Sequence, residues 1–463
     1  MLLHDDRLFP SDPSARGVAK ALYAHVKDLP IVSPHGHTQA AWFAQNTAFP
    51  DPATLFVQPD HYVFRMLYSQ GISLDLLGIG KDKIENPREV WRIFAKNYFL
   101  FRATPSRLWL DYAFEVQFGL HERLSEKTAD LYYDTIDAKL RTPEYLPRTL
   151  FERFNIEVMS TTDSPIDSLA EIKAIRDSGW KGRIVPAFRP DPVIDADYIG
   201  FHDNLVKLGE LYNEDTATWK GYLNALRKAR LFFKTMGCTS TDHGHPTALT
   251  ADLPESDAAA LYAKIFAGIS TKAEQELFRG QMLTESAGMS IEDGLTMQIH
   301  PGSVRNHNPF IYERYGRDKG CDIPSATEYV QSLRPLLSKY GNNTNLTIIL
   351  FTLDETSYSR ELAPLAGHYP ALRLGPSWWF HDSPEGMMRF RQQATETAGF
   401  YNTVGFNDDT RAFLSIPSRH DVARRVDCAF LGRLVAEHRL EEDEAFEVAH
   451  ALTYDLVKKA YKL

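Results

Sequence analysis

Residues 31–37 read Ile31-Val32-Ser33-Pro34-His35-Gly36-His37, a short β-branched run that passes directly into two histidines. Such a run favours extended backbone, and residues two apart on a strand point to one face. His35 and His37 can therefore offer imidazole nitrogens to a single cation, with Gly36 leaving room between them. A lone His-x-His pair is more often incidental than a metal site, so its weight depends on what the rest of the chain places beside it.

Working outward, the same pattern recurs. Strands are expected at Ile31 to Ser33, Glu157 to Thr161, Arg183 to Phe188, Thr235 to Ser240, Leu295 to Ile299, Leu346 to Phe351, Ala371 to Leu374 and Tyr401 to Phe406. Most of these eight runs end in polar or ionisable residues, and the segments between them carry helical periodicity. Thr218 to Phe233 sets Trp219, Tyr222, Leu223, Leu226 and Phe233 along one stripe with Lys220, Arg227 and Lys228 opposite, as a helix covering a sheet requires. Ser383 and Pro384 read as an N-cap and first helical residue, and Gly399 as the stop.

Strand–helix alternation repeated eight times predicts an α/β fold, a (β/α)8 TIM-type barrel; a doubly wound open sheet is the alternative. One stretch, residues 38–155, is too long for a βα loop and contains helix-like segments at Pro87 to Tyr98 and Thr128 to Leu140. It is expected to be a mainly helical insertion over the carboxyl ends of the strands. Residues 1–37 and 156–463 then form the barrel, and the chain from about Ser418 forms a helical tail packed on its outside.

Composition narrows the functional classes. With 43% hydrophobic and 24% charged residues, the chain can bury a large core. No apolar run approaches the roughly 20 residues that span a bilayer, and the acidic start at Asp5-Asp6 is unlike a secretory signal. Cys238, Cys321 and Cys428 are far apart and form no CxxC pair, which fits a reducing cytoplasm. A net charge of −10 with dispersed Lys and Arg argues against nucleic acid and against an anionic membrane surface. An anionic substrate would need a local cationic site.

In a closed barrel the first and last strands are neighbours, so the Asn407-Asp408-Asp409-Thr410-Arg411 segment after the eighth strand can complete the site begun by His35 and His37. Asp409 is the expected third ligand, although it could instead cap a helix. Two imidazoles and a carboxylate with open positions suit one divalent metal, Zn2+ first, with Mn2+ or Fe2+ as alternatives and no nucleotide cofactor. Asp163, Arg189, Asp242, His243 and His300 follow other strands, at the face where barrel enzymes carry their chemistry.

The segments Pro34-His35-Gly36-His37, Asp60-His61-Tyr62, Thr161-Thr162-Asp163, Phe188-Arg189-Pro190, Met297-Gln298-Ile299-His300, Trp378-Trp379-Phe380 and Asp409-Thr410-Arg411 resemble, in kind and order, those of uronate isomerases, a branch of the amidohydrolase superfamily. The resemblance runs from residue 34 to residue 411. One departure is Phe64, where relatives are expected to carry Trp.

The resemblance implies interconversion of D-glucuronate with D-fructuronate and of D-galacturonate with D-tagaturonate, with a small hexuronate as partner and a homo-oligomer as a compatible state. It makes His35, His37 and Asp409 the metal ligands, Arg189 and Arg411 contacts to the sugar acid, Tyr62 and His300 polar groups at its reacting end, and Trp378 or Trp379 a wall of the pocket. Proton transfer from C2 to C1 through an enediol needs a base and something to stabilise the developing oxyanion. Tyr62 and Asp409 are the candidates for the relay and His300 for polarising the carbonyl; Tyr62 would need a nearby cation to act as a base.

Two rival readings use the same residues. A mononuclear metal-dependent amidohydrolase acting on a lactone or amide would use His35, His37 and Asp409 to activate water. A sugar-acid binding protein would keep the arginines without needing a metal.

Overall fold

The computed structural model describes residues 2–463. Its strands are β1 Ile31–Ser33, β2 Ile156–Asp163, β3 Arg183–Phe188, β4 Ser240–His243, β5 Thr296–Ile299, β6 Ser303–Val304, β7 Ile323–Pro324, β8 Ile348–Leu350 and β9 Leu372–Leu374. Seven of them form one parallel sheet in the order β1-β2-β3-β4-β5-β8-β9, and β6 and β7 make a small antiparallel hairpin. Strand order follows chain order, as expected when each connection packs a helix back on the sheet.

Three sequence expectations shift. The fourth strand begins at Ser240 rather than Thr235, because helix Trp219–Thr235 keeps its periodicity to the end and the chain turns at Gly237 with φ 97°. The segment 401–406 joins the sheet through one parallel bridge, Leu374 to Thr403, with Val404 N donating to Leu374 O at 3.1 Å. Its far end meets the first strand's exit, where His37 N donates to Thr410 O at 3.0 Å. The sheet is therefore curled, and the segment after 401–406 reaches from its β9 side to the exit of β1.

The tail is divided. Helix Ile416–Ala436 packs against helix Pro13–Val26 and beside β1, covering the sheet from outside. The last helix, Leu456–Tyr461, instead enters the end of the sheet opposite the histidines. Val32, Val158, Val185, Ile349 and Val404 form an apolar layer with Val457, Ala460 and Tyr461. The period-2 pattern of β5 shows the depth of this plug: Thr296 donates to Ala460 O at 2.7 Å, and Gln298 accepts from the Tyr461 hydroxyl at 3.0 Å. His300, next on that face, lies beside Asp242. The intervening Met297 and Ile299 pack into the helical shell.

Between β1 and β2 the chain forms helices from Ala40–Gln45 to Pro147–Arg153, including Pro87–Lys96 and Ala129–Leu140. Proline at N1 and Asn or Asp N-caps start several of them, as in Asp51 accepting from Thr54 N and Asn86 from Arg88 N. Among them, helix His61–Tyr68 carries Tyr62 to the site.

Candidate metal and sugar-acid site

Where β1 ends, Nε2 of His35 and of His37 lie 3.3 and 3.2 Å from the same Asp409 oxygen, Oδ1. These three donor atoms all lie within 4.8 Å of one another, so the group could hold a metal ion. The donor set fits: Asp409 Oδ1 is buried and accepts no hydrogen bond among the described residues, while Oδ2 accepts the Trp378 indole N–H. Burial opposes charge on Asp409, but the two imidazoles outweigh it and hold the carboxyl well below its usual range. Asp409 and Trp379 have φ of 41° and 51°, left-handed backbone that non-glycine residues rarely adopt and that clusters at ligand sites.

A second charged group lies beside the first, centred on the buried Asp242. Burial of Asp242 is offset by His300 and Arg189, which hold its carboxyl well below the usual range; His300 Nε2 lies 2.6 Å from Oδ1 and Arg189 Nη1 lies 3.2 Å from Oδ2. Arg189 is also held by Asp191, whose Oδ2 accepts from Nε at 2.9 Å. Asp191 Oδ1 accepts from Gly244 N at 3.1 Å. Burial disfavours the Arg189 charge, yet Asp191 and Asp242 more than compensate, so the guanidinium stays protonated.

His35, His37, Asp409, Arg189, Asp191 and His300 line a cavity of about 380 Å3 that also takes in Tyr62, Trp378, Trp379 and Arg411, while Asp242 lies buried behind His300 and Arg189. All nine residues singled out from sequence for binding or chemistry are thus brought together. Arg411 reaches toward Asp318 at 3.8 Å, on the loop between β6 and β7. Trp379 donates its indole N–H to His61 Nε2 at 3.0 Å, and burial lowers that imidazole to about 3, so it is neutral.

Tyr62 is a base candidate only with a cation nearby, and here the cation is outweighed. Its hydroxyl donates to Asp382 Oδ2 at 3.1 Å, and burial together with that carboxylate pushes the phenol well above its ordinary range, even though Arg419 pulls the other way. His243 does not line the cavity; it turns with Thr241, whose hydroxyl is 3.0 Å from its Nε2, and burial lowers it to about 3. Asp242, expected with His243 at the face that carries the chemistry but given no role, is the one that reaches Arg189 and His300, from behind the cavity wall. The alternation Ser240, Asp242 against Thr241, His243 carried that signal once the strand's start was known.

A curled parallel sheet with a metal-competent His-x-His and aspartate at its carboxyl ends, facing a clamped arginine, defines an α/β protein equipped to bind an anionic ligand beside a cation. The chain belongs to the glucuronate isomerase family, whose sequence model matches residues 14–461. It is 63% identical over 467 residues to a uronate isomerase of Sphingopyxis alaskensis, covering 100% of this chain and 99% of that one. The crystal structure of glucuronate isomerase from Caulobacter crescentus superposes with a TM-score of 0.98 at 59% identity, covering 99% of this chain and 97% of that one. That of uronate isomerase from Thermotoga maritima gives 0.93 at 29% identity over 100% of both.

Proposed function

We infer that this protein is an aldose–ketose isomerase that interconverts D-glucuronate with D-fructuronate and D-galacturonate with D-tagaturonate. The observation that carries the reading is the meeting of the His35, His37 and Asp409 donors with Arg189 and Arg411 in one cavity, within a chain related to uronate isomerases along its whole length. A uronate has the charge those arginines match. A lactone or amide without a carboxylate would leave both unused.

The backbone bond from His37 to Thr410 and the Leu374–Thr403 bridge support a closed (β/α)8 barrel in which 401–406 is the eighth strand. In this reading residues 1–37 and 156–463 form the barrel, and 38–155 form a helical insertion over its carboxyl end. No helix among the described residues is long and apolar enough to cross a membrane. Three scattered cysteines with no CxxC pair support action in a reducing cytoplasm, on a free sugar acid.

His35, His37 and Asp409 would hold one divalent ion, Zn2+ in the first instance and Mn2+ or Fe2+ otherwise, which supplies Lewis acidity to a substrate oxygen when bound. Arg189, held in a fixed orientation by Asp191 and Asp242, and Arg411 receive the carboxylate. Trp378 and Trp379 wall the sugar. His300, braced by Asp242, holds a hydroxyl or polarises the carbonyl at the reacting end. The proton leaving C2 is taken by a protein group, Asp409 or Tyr62, and delivered to C1 of the enediol.

The test is conversion of each uronate in D2O. Ketose product carrying deuterium at C1 in part of the material, with no water added across any bond, is the expected result. Hydrolysis of a lactone or amide without conversion of any uronate would assign the site to water activation instead.

A further inference from the structure

Behind the cavity wall, three residues from distant parts of the chain meet at one carboxylate oxygen. Asp382 Oδ2 accepts from the Tyr62 hydroxyl at 3.1 Å and from Arg419 Nη1 at 2.8 Å. Arg419 also donates to Asp408 O at 3.2 Å, and its guanidinium lies 3.6 Å from the centre of a Trp109 ring. Asp382 and Arg419 are 5% and 2% exposed, whereas Tyr62 lines the cavity. The other oxygen, Asp382 Oδ1, is buried with no hydrogen bond among the described residues. A carboxylate serving only as a brace would be expected to use both oxygens, because a bare buried one carries a desolvation penalty.

We propose that Tyr62, Asp382 and Arg419 form a hydroxyl-proton relay, in which Tyr62 takes a proton from a substrate hydroxyl as it passes its own to Asp382. The proposal rests on the reading of Tyr62 as a group at the substrate's reacting end. Aldose-to-ketose conversion requires O2–H to lose its proton and O1 to gain one, apart from the carbon-to-carbon transfer. In the forward half, an O–H bond forms between the phenol oxygen and the O2 proton. The phenol's own O–H bond breaks and its proton goes to Asp382 Oδ2. In the return half Asp382 gives that proton back to the phenol oxygen as the phenol protonates O1, so protons and electrons balance with no added reagent.

The relay removes the difficulty of a phenol pushed well above its ordinary range. Tyr62 never carries a full charge, because one proton arrives as the other leaves. Asp382 is raised to about 6, first by burial, against the pull of Arg419 and the Tyr62 hydrogen bond. At neutral pH it is mostly ionised and yet a stronger base than an exposed aspartate. The charged groups around it are Arg419 from helix Ile416–Ala436, Tyr62 from helix His61–Tyr68, and Asp409 beyond the eighth strand segment; Asp60 and Asp408 act on it through Arg419. Asp382 and Arg419 act through Tyr62 and are positioning residues.

The experiment is the pH dependence of kcat and kcat/KM in the metal-loaded full-length enzyme and in Asp382→Asn, Asp382→Glu and Tyr62→Phe, with metal content and thermal midpoint recorded for each. Activity should fall as pH drops through about 6 in the unaltered enzyme. Asp382→Asn should lose about 100-fold or more in kcat, keep KM within about threefold, and lose that acid limb. Asp382→Glu should restore part of kcat. Retention of the limb with kcat within about fivefold of the unaltered enzyme would overturn the relay. Tyr62→Phe keeps the two failures apart: unchanged kcat there removes Tyr62 from the chemistry, whereas a slow Tyr62→Phe beside a fast Asp382→Asn removes only the relay. If Asp382→Asn does not fold, kcat of the unaltered enzyme across H2O–D2O mixtures decides: a curved dependence, with two protons moving together, supports the relay, and a linear one overturns it.

Discussion

The Trp378 indole N–H donates to Asp409 Oδ2 and thereby leaves Oδ1 as the point on which the His35 and His37 nitrogens close. One hydrogen bond thus sets which oxygen of the carboxylate is offered as a donor. Groups that orient metal ligands in this way typically affect affinity by about 10- to 100-fold. Trp378→Phe keeps the ring and removes the bond, so it should weaken metal retention by that factor in competition with a chelator. Replacing both His35 and His37 with Ala should abolish stoichiometric metal; unchanged content on elemental analysis would place the ion elsewhere.

Gly244 has no room for a side chain. A Cβ there would come within 2.5 Å of Arg189 Nη2, 2.8 Å of His300 Cε1 and 2.9 Å of Asp191 Oδ2. Gly244→Ala should therefore displace the Arg189 guanidinium and, on the proposed reading, lower kcat/KM for uronates by roughly 10- to 100-fold while the fold and metal content persist. Steady-state kinetics on both uronates would check this, and near-normal kcat/KM would show that Arg189 is not the substrate's anchor.

Asp318 Oδ1 stands 3.8 Å from Arg411 Nη2; its side chain is exposed, and Arg411, Arg305, Arg189 and Arg317 outweigh its partial desolvation and hold its carboxyl below the usual range. If Arg411 receives the substrate's carboxylate as proposed, Asp318 competes with it. Asp318→Asn should lower KM for uronates by about two- to fivefold at low salt, with the difference shrinking as salt rises. An increase in KM would mean that Asp318 instead contacts the sugar.

Tyr461, 1% exposed, plugs the amino-terminal end of the sheet and donates to Gln298. Tyr461→Ala removes a large buried ring from the layer formed by Val32, Val158 and Val185, and should destabilise the protein by about 3–5 kcal/mol. Urea unfolding followed by circular dichroism measures this; a change under about 1 kcal/mol would show that the tail contributes little to the core.

What could be read from the chain alone is what depends on neighbours in sequence. β-branched runs set β1 and β3 where the structure has them, and Ser383-Pro384 and Gly399 bound helix Pro384–Ala398 because caps and stops act within one turn. The expectation of His35, His37 and Asp409 at one point followed from the spacing of two residues on one strand and from the neighbourhood of first and last strands. The Asp382–Arg419 pair behind Tyr62, the Asp242 bridge between Arg189 and His300, and the entry of Tyr461 into the sheet were not legible in that way. Tyr62 and Asp382 are 320 residues apart and meet only in the folded chain, Tyr62 on helix His61–Tyr68 and Asp382 just after Trp379–His381. A side chain's charge state and orientation depend on which groups share its burial, and that partnership is set by how the curled sheet and its helices pack.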